Sequence, residues 1–202
     1  LLALTGWTPG TPFLDPMCGS GTIAVEAAML AADRAPGLAR TFGFQKLAWF
    51  DGPAWQRLKQ AARDRQQPAP AAPLLFASDI APGAVAKTES NLRHAQVEAF
   101  VRVECADLLT RSAPAAAGML LANPPYGVRL ADLERLAQFY PLLGDALKQR
   151  FTGWTAHFFT GDLRHPDVLR RRASDPELRR PPTAHALELR LDSRRAAGAR
   201  AR

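Results

Sequence analysis

Asp15, Asp79, Asp107 and Asn123 each follow a short apolar run, in "PFLDP", "LLFASD", "FVRVECAD" and "LLANPPYG". Asp15 opens "DPMCGSGT" (15–22), where Gly19 and Gly21 allow a tight turn and a close approach by a ligand. The helix that follows offers N–H groups with no partner inside the helix. The stretch lacks the lysine of a phosphate-binding loop, and Ala24 stands where a dinucleotide fingerprint would have its third glycine. An acid four residues before Gly19 would repel a pyrophosphate. It suits a ligand with a cationic end, such as the α-amino group of S-adenosylmethionine. Asp79 can accept both hydroxyls of a ribose, and Asp107 can accept from an adenine amine. Taken singly, each acid also reads as a helix cap or loop residue. Capping, however, does not call for one polar group at every strand end.

The stretch 120–127 poses a different question, because two prolines follow Asn123. Neither ring nitrogen can donate a hydrogen bond, and the residue before a proline is pushed into an extended conformation. On "NPP" alone, a strand stop followed by a turn is one reading.

These groups need a scaffold that brings strand ends together. The apolar runs at 12–16, 74–79, 100–107, 118–125, 154–162 and 186–192 read as strands. Between them, 20–35, 53–67, 82–96 and 133–151 read as helices, with a bend expected at Pro141. Pro53 and Pro82 suit first helical positions, and Trp55, Leu58 and Ala62 are expected on one apolar face. "DVLRRRA" (167–173) suits a short helix. Alternation of strand and helix predicts an α/β domain with a mostly parallel sheet, whose ligands sit beyond the carboxyl ends of the strands.

A chain of 202 residues with 47% hydrophobic and 22% charged residues fits one soluble domain with a full core. It holds no apolar run of the roughly 20 residues that a membrane helix needs, and no secretion signal is expected. Cys18 and Cys105 suggest neither a disulfide framework nor a zinc site, and a reducing cytoplasm fits them. Packing is favoured over reactivity for both thiols. His94, His157, His165 and His185 share no ligand spacing, so no metal is expected. The net charge of +7 favours a polyanion such as nucleic acid, against the plain alternative of a global Arg-, Ala- and Pro-rich bias. Residues 162–202 carry eleven Arg against six Asp and Glu, and 193–202 is expected to be a disordered basic tail.

The segments 6–28, 42–51, 76–80, 123–130 and 151–162 together resemble the class I S-adenosylmethionine-dependent methyltransferases. More narrowly, the chain resembles RNA guanine-N2 methyltransferases whose catalytic domains follow an RNA-binding THUMP domain, nearest to the bacterial large-subunit ribosomal RNA type. "DPMCGSGT" with "NPPYG" about a hundred residues on is the specific pair. The resemblance implies a Rossmann-like, doubly wound, seven-stranded sheet over 1–192, with an inserted connection at 36–73. It implies S-adenosylmethionine as cofactor, held by Asp15, Cys18, Gly19, Gly21, Thr22, Asp79, Ile80, Asp107, Leu108 and Asn123. The family's loop usually continues with an acid before the arginine, whereas this chain has Val128 before Arg129.

The resemblance also gives Asn123, Pro124 and Tyr126 catalytic roles. The Asn123 side chain and the Pro124 carbonyl would accept hydrogen bonds from a planar exocyclic amine, favouring a pyramidal nitrogen in the transition state. Tyr126 would stack on a base drawn out of its helix. No general base is assigned. The implied substrate is guanine N2 in ribosomal RNA. DNA adenine N6, transfer-RNA guanine N2 and an RNA-binding module without turnover remain open. The aromatic segment 42–51 reads either as a wall of the target pocket or as a satellite core.

Overall fold

The computed structural model describes residues 1–124, 130–159 and 186–190, and of 130–137 and 186–190 the backbone alone. The strands are β1 (Phe13–Asp15), β2 (Leu75–Asp79), β3 (Val101–Cys105), β4 (Gly118–Ala122), β5 (Trp154–Phe159) and β6 (Ala186–Arg190). The α-helices are α1 (Leu2–Thr5), α2 (Thr22–Ala31), α3 (Gly52–Asp64), α4 (Pro82–Ala95) and α5 (Leu130–Arg150). The sheet order is β3-β2-β1-β4-β5-β6; the first five strands are parallel and β6 pairs antiparallel to β5. Six strands fall among the described residues where seven are expected, and they are the six runs read as strands. The stretch 167–173, His165, His185 and the tail 193–202 lie outside the described residues.

Alternation along the strands builds two cores. Phe13, Leu75, Ala77 and Leu121 face one layer, where α2 contributes Ala24, Ala27 and Ala28, and α4 contributes Leu92. Leu14, Leu120 and Ala122 face the other, against Tyr140, Leu143 and Leu147 of α5. A strand covered on both faces has no polar side to show, which is why these runs are nearly continuous in apolar residues. Leu14 and Leu120 are completely buried, each side chain contributing roughly 1.5–3 kcal/mol.

Several boundaries differ from the sequence reading. β3 ends at Cys105, so Asp107 stands two residues past the strand. Its carboxylate and carbonyl accept from Leu109 N, Thr110 N and Arg111 N, and that turn takes the backbone out of the ladder. α3 starts one residue before Pro53, because the Asp51 carboxylate caps it by accepting from Ala54 N at 2.8 Å. The apolar face expected on α3 is not a buried one: no residue of this helix is buried, and Leu58 is 61% exposed. α5 begins earlier than expected and runs through Pro141 as one helix, losing one ladder bond there.

Candidate active site

The strand order places β1 and β4 side by side, while the chain leaves β1 toward β2 on one side and β4 toward β5 on the other. That is the switch point of a doubly wound sheet, where a crevice opens beyond the strand ends. Asp15 ends β1, Asp79 ends β2, and Asn123 follows β4 directly. Registers of Asp15 with Ala77 and Asp79 with Cys105 set the acids along one edge of the sheet.

The glycine loop is pinned from three sides. Cys18 N donates to Ser78 O at 3.0 Å and Gly19 N to Asp79 Oδ2 at 3.0 Å, tying the loop to β2. Gly21 N closes the turn onto Cys18 O at 2.7 Å. From α4, the Thr88 hydroxyl donates to Gly19 O at 3.2 Å and meets Cys18 Sγ at 3.3 Å, while Asn91 Nδ2 donates to Ser20 O at 2.8 Å. Thr88 and Asn91 escaped the sequence reading. The available signal was a polar pair three apart on the helix face that also carries Leu92.

The two glycines serve different needs. Gly21 has φ +82°, and a Cβ there would stand 2.7 Å from Thr88 Cγ2. Gly19 has φ +57°, and a Cβ there would meet nothing within 4 Å. The loop is packed shut at Gly21 and open at Gly19, where backbone can face a ligand. Gly21 caps α2 with no side-chain hydrogen bond, so the first N–H groups of α2 keep their donors.

Asp15 is the electrostatic centre. It is 1% exposed; Oδ1 accepts weakly from Met17 N at 3.4 Å, and Oδ2 has no hydrogen-bond partner among the described residues. Burial pushes its pKa up to about 7, the Met17 N–H opposing and the nearby Asp79 charge adding to the rise. Asp79 is half-buried and accepts from Gly19 N and from Ala81 N at 2.9 Å. Two backbone donors leave about two of the four acceptor positions of a carboxylate. Burial also pushes the Cys18 thiol up to about 11, which leaves it a protonated packing group.

The other expected site residues divide. Ile80 is 69% exposed at the crevice edge beside Asp79, whereas Leu108 is 2% exposed and sits in the α5-side core. Thr22 is exposed at the start of α2, and its hydroxyl lies 3.4 Å from that of Ser20. Asn123 is exposed and Pro124 buried; Tyr126 lies outside the described residues. A buried guanidinium secures the Asp107 turn. Arg111, 8% exposed in its side chain, donates to Ser78 Oγ at 2.6 Å and pairs with Glu104 at 3.4 Å. Burial lowers its pKa and Glu104 opposes that shift. A long basic residue after "DLLT" gave no sign of turning inward.

Comparison with known proteins places this geometry. Residues 1–180 match the family model described as UPF0020, RMKL-like, methyltransferase domain. The ribosomal RNA large subunit methyltransferase K/L of Photobacterium profundum is 39% identical over 178 residues, covering 86% of this chain and 25% of that protein. The chain thus spans a quarter of the length of this curated relative. Two crystal structures superpose closely. A "predicted N6-adenine-specific DNA methylase" from Listeria monocytogenes has a TM-score of 0.81 at 27% identity, covering 94% of this chain and 49% of that one. SMU.472, "a putative methyltransferase complexed with SAH", has a TM-score of 0.79 at 26% identity, covering 95% and 50%. The chain belongs to the RMKL-like methyltransferase domain family and carries the α/β fold of S-adenosylmethionine-dependent methyltransferases.

Proposed function

We propose that this domain transfers a methyl group from S-adenosylmethionine to the exocyclic N2 amine of a guanine in ribosomal RNA. The observation that carries the reading is the buried Asp15 Oδ2, without a hydrogen-bond partner among the described residues, at the switch point between Asp79 on one flank and Asn123 on the other. The residues fit the cofactor. Asp15 suits an ammonium group, the α2 N-terminus a carboxylate, and Asp79 the ribose hydroxyls. The open space at Gly19 suits a ligand lying against backbone. When bound, the cofactor supplies an electrophilic methyl group.

The chain's own contribution is to position the acceptor amine. Its lone pair is delocalised into the purine ring, so the nitrogen must pyramidalise before it can attack. Asn123 and the Pro124 carbonyl accept from that amine, and their proline-stiffened backbone fixes the direction. Such contacts strengthen as the nitrogen pyramidalises, which lowers the barrier rather than only tightening binding. Tyr126 stacks on the extruded base.

The ribosomal RNA assignment draws on the Photobacterium relative, and the guanine-N2 assignment on the motif resemblance. The domain works beside an RNA-binding THUMP domain, in the cytoplasm. A second reading, adenine N6 in DNA, has support from the name of the Listeria neighbour and from a loop that suits any planar amine. Nucleoside mass spectrometry of ribosomal RNA from cells lacking the gene tests the first reading. Loss of one N2-methylguanosine is expected. Unchanged RNA with loss of N6-methyladenine from DNA would replace it with the second.

A further inference from the structure

The connection between α2 and β2 carries a cluster of aromatic side chains. Phe42 and Phe44 stack at 5.4 Å, and Trp55 of α3 meets them edge-on at 5.8 and 5.2 Å. This cluster is not a closed satellite core. Phe44 is 41% exposed, Leu47 43% and Trp49 80%, and Leu58, one turn along α3 from Trp55, is 61% exposed. Four large apolar side chains open to water on one connection mark an interaction surface.

The charge around them indicates what covers it. Residues 40–65 contain six Lys and Arg against two Asp and Glu, a net +4 out of the chain's +7. Lys46, Arg57 and Lys59 form no ion pair among the described residues, and Arg40 lies over the Phe42 ring at 5.5 Å. A second copy of this chain would bring +4 against +4, a repulsive pairing. A polyanion with flat apolar faces satisfies both features at once. Phosphates take the cations and bases take the aromatic and aliphatic surface, as in other single-strand binding grooves. The far end of α3 is tied back to the end of α2, where Arg65 pairs with Asp33 at 2.7 Å and Gln67 N donates to Ala32 O at 2.8 Å.

We propose that this face docks single-stranded RNA, with Trp49 as a stacking platform for an unpaired base and Lys46 and Lys59 against the flanking phosphates. The proposal rests on the RNA reading above and adds a second contact region, outside the crevice, for the same substrate.

Tryptophan fluorescence of the full chain tests it. Trp7 and Trp154 are 7% and 1% exposed and Trp55 is half-buried, so Trp49 is the water-facing indole. A short single-stranded RNA of mixed sequence should quench the emission, and Trp49→Phe should abolish most of the quenching while keeping most of the affinity. Trp49→Ala should weaken RNA binding about 10-fold or more, the worth of one stacked base. Its affinity for inorganic polyphosphate, which has charge and no bases, should not change. S-adenosylhomocysteine binding should also be unchanged in this variant, which verifies its fold. Equal RNA affinity in wild type and Trp49→Ala overturns the proposal. An equal loss toward polyphosphate overturns the stacking role. A wild-type dimer in sedimentation that Trp49→Ala abolishes, with RNA affinity unchanged, would assign the face to self-association instead. If these results hold while no N2-methylguanosine depends on the protein, the surface stands and the proposed reaction falls.

Discussion

Asp79 Oδ2 accepts a hydrogen bond from Gly19 N at 3.0 Å, joining the glycine loop to the end of β2, 60 residues further along the chain. One carboxylate thus holds the glycine loop in shape and keeps acceptor positions toward the crevice. The connection between α2 and β2, which carries α3, accounts for the long sequence separation.

Asp79→Ala should therefore weaken S-adenosylhomocysteine binding by roughly 1.5–3 kcal/mol through lost bonds to a charged acceptor. Removing the loop clamp adds to the loss. Asp79→Asn keeps a side-chain acceptor and should fall between. Titration calorimetry reads both; wild-type affinity in Asp79→Ala would remove this residue from the site.

Asp15 gives a pH dependence with a definite sign. Its carboxyl has a pKa of about 7 in the fold, against about 3.9 in an unfolded chain. Between those values the native state binds the extra proton. Stability of the ligand-free protein should thus fall as pH rises from about 4 to 7, by on the order of 4 kcal/mol at most, and then level off. Ligand binding runs the other way. A cationic group beside Oδ2 favours the carboxylate, so S-adenosylhomocysteine affinity should rise through pH 7 with proton release. Calorimetry in two buffers of different ionisation enthalpy counts that proton. Asp15→Asn should abolish the release, and its persistence would mean that another group titrates.

Gly21→Ala should destabilise the glycine loop. The new Cβ meets Thr88 Cγ2 at 2.7 Å in a left-handed backbone of φ +82°. Strain and overpacking of this kind cost about 1–3 kcal/mol, or roughly 2–4 °C in Tm per kcal/mol for a domain of this size. Thr88→Ala, combined with it, should recover part of the loss. A melting temperature unchanged by Gly21→Ala would show that the loop relaxes freely.

The strands were legible because both faces of a parallel sheet are covered, leaving short apolar runs that end in a polar residue. Asp15 and Asp79 end their strands, as "PFLDP" and "LLFASD" suggest. The sequence conceals which polar groups turn inward. Arg111 looks like a surface residue until Ser78 and Glu104 are seen beside it, and Thr88 looks like any helix threonine until Cys18 and Gly19 reach it. The same limit applied to α3. Its apolar spacing is real, yet spacing alone cannot say whether a face meets a core or water, and Leu58 meets water.

The last prediction separates chemistry from binding at Asn123, which stands exposed directly after β4. If its amide oxygen orients the target amine, the contact gains strength only as the nitrogen pyramidalises. Asn123→Ala should then lower kcat and kcat/KM together, with cofactor affinity nearly intact. By analogy with a preorganised oxyanion donor, the loss should be about 10²–10³ in rate. Tyr126→Ala should behave differently, because stacking worth roughly 1–3 kcal/mol per base is partly in place once the base is bound. That variant should raise KM as well as slow turnover, and Tyr126→Phe should be mild. Full-length protein with the ribosomal RNA proposed as its substrate is the assay. Near-normal turnover in Asn123→Ala beside an inactive Tyr126→Phe would reject the orienting role and move the chemistry to the tyrosine hydroxyl.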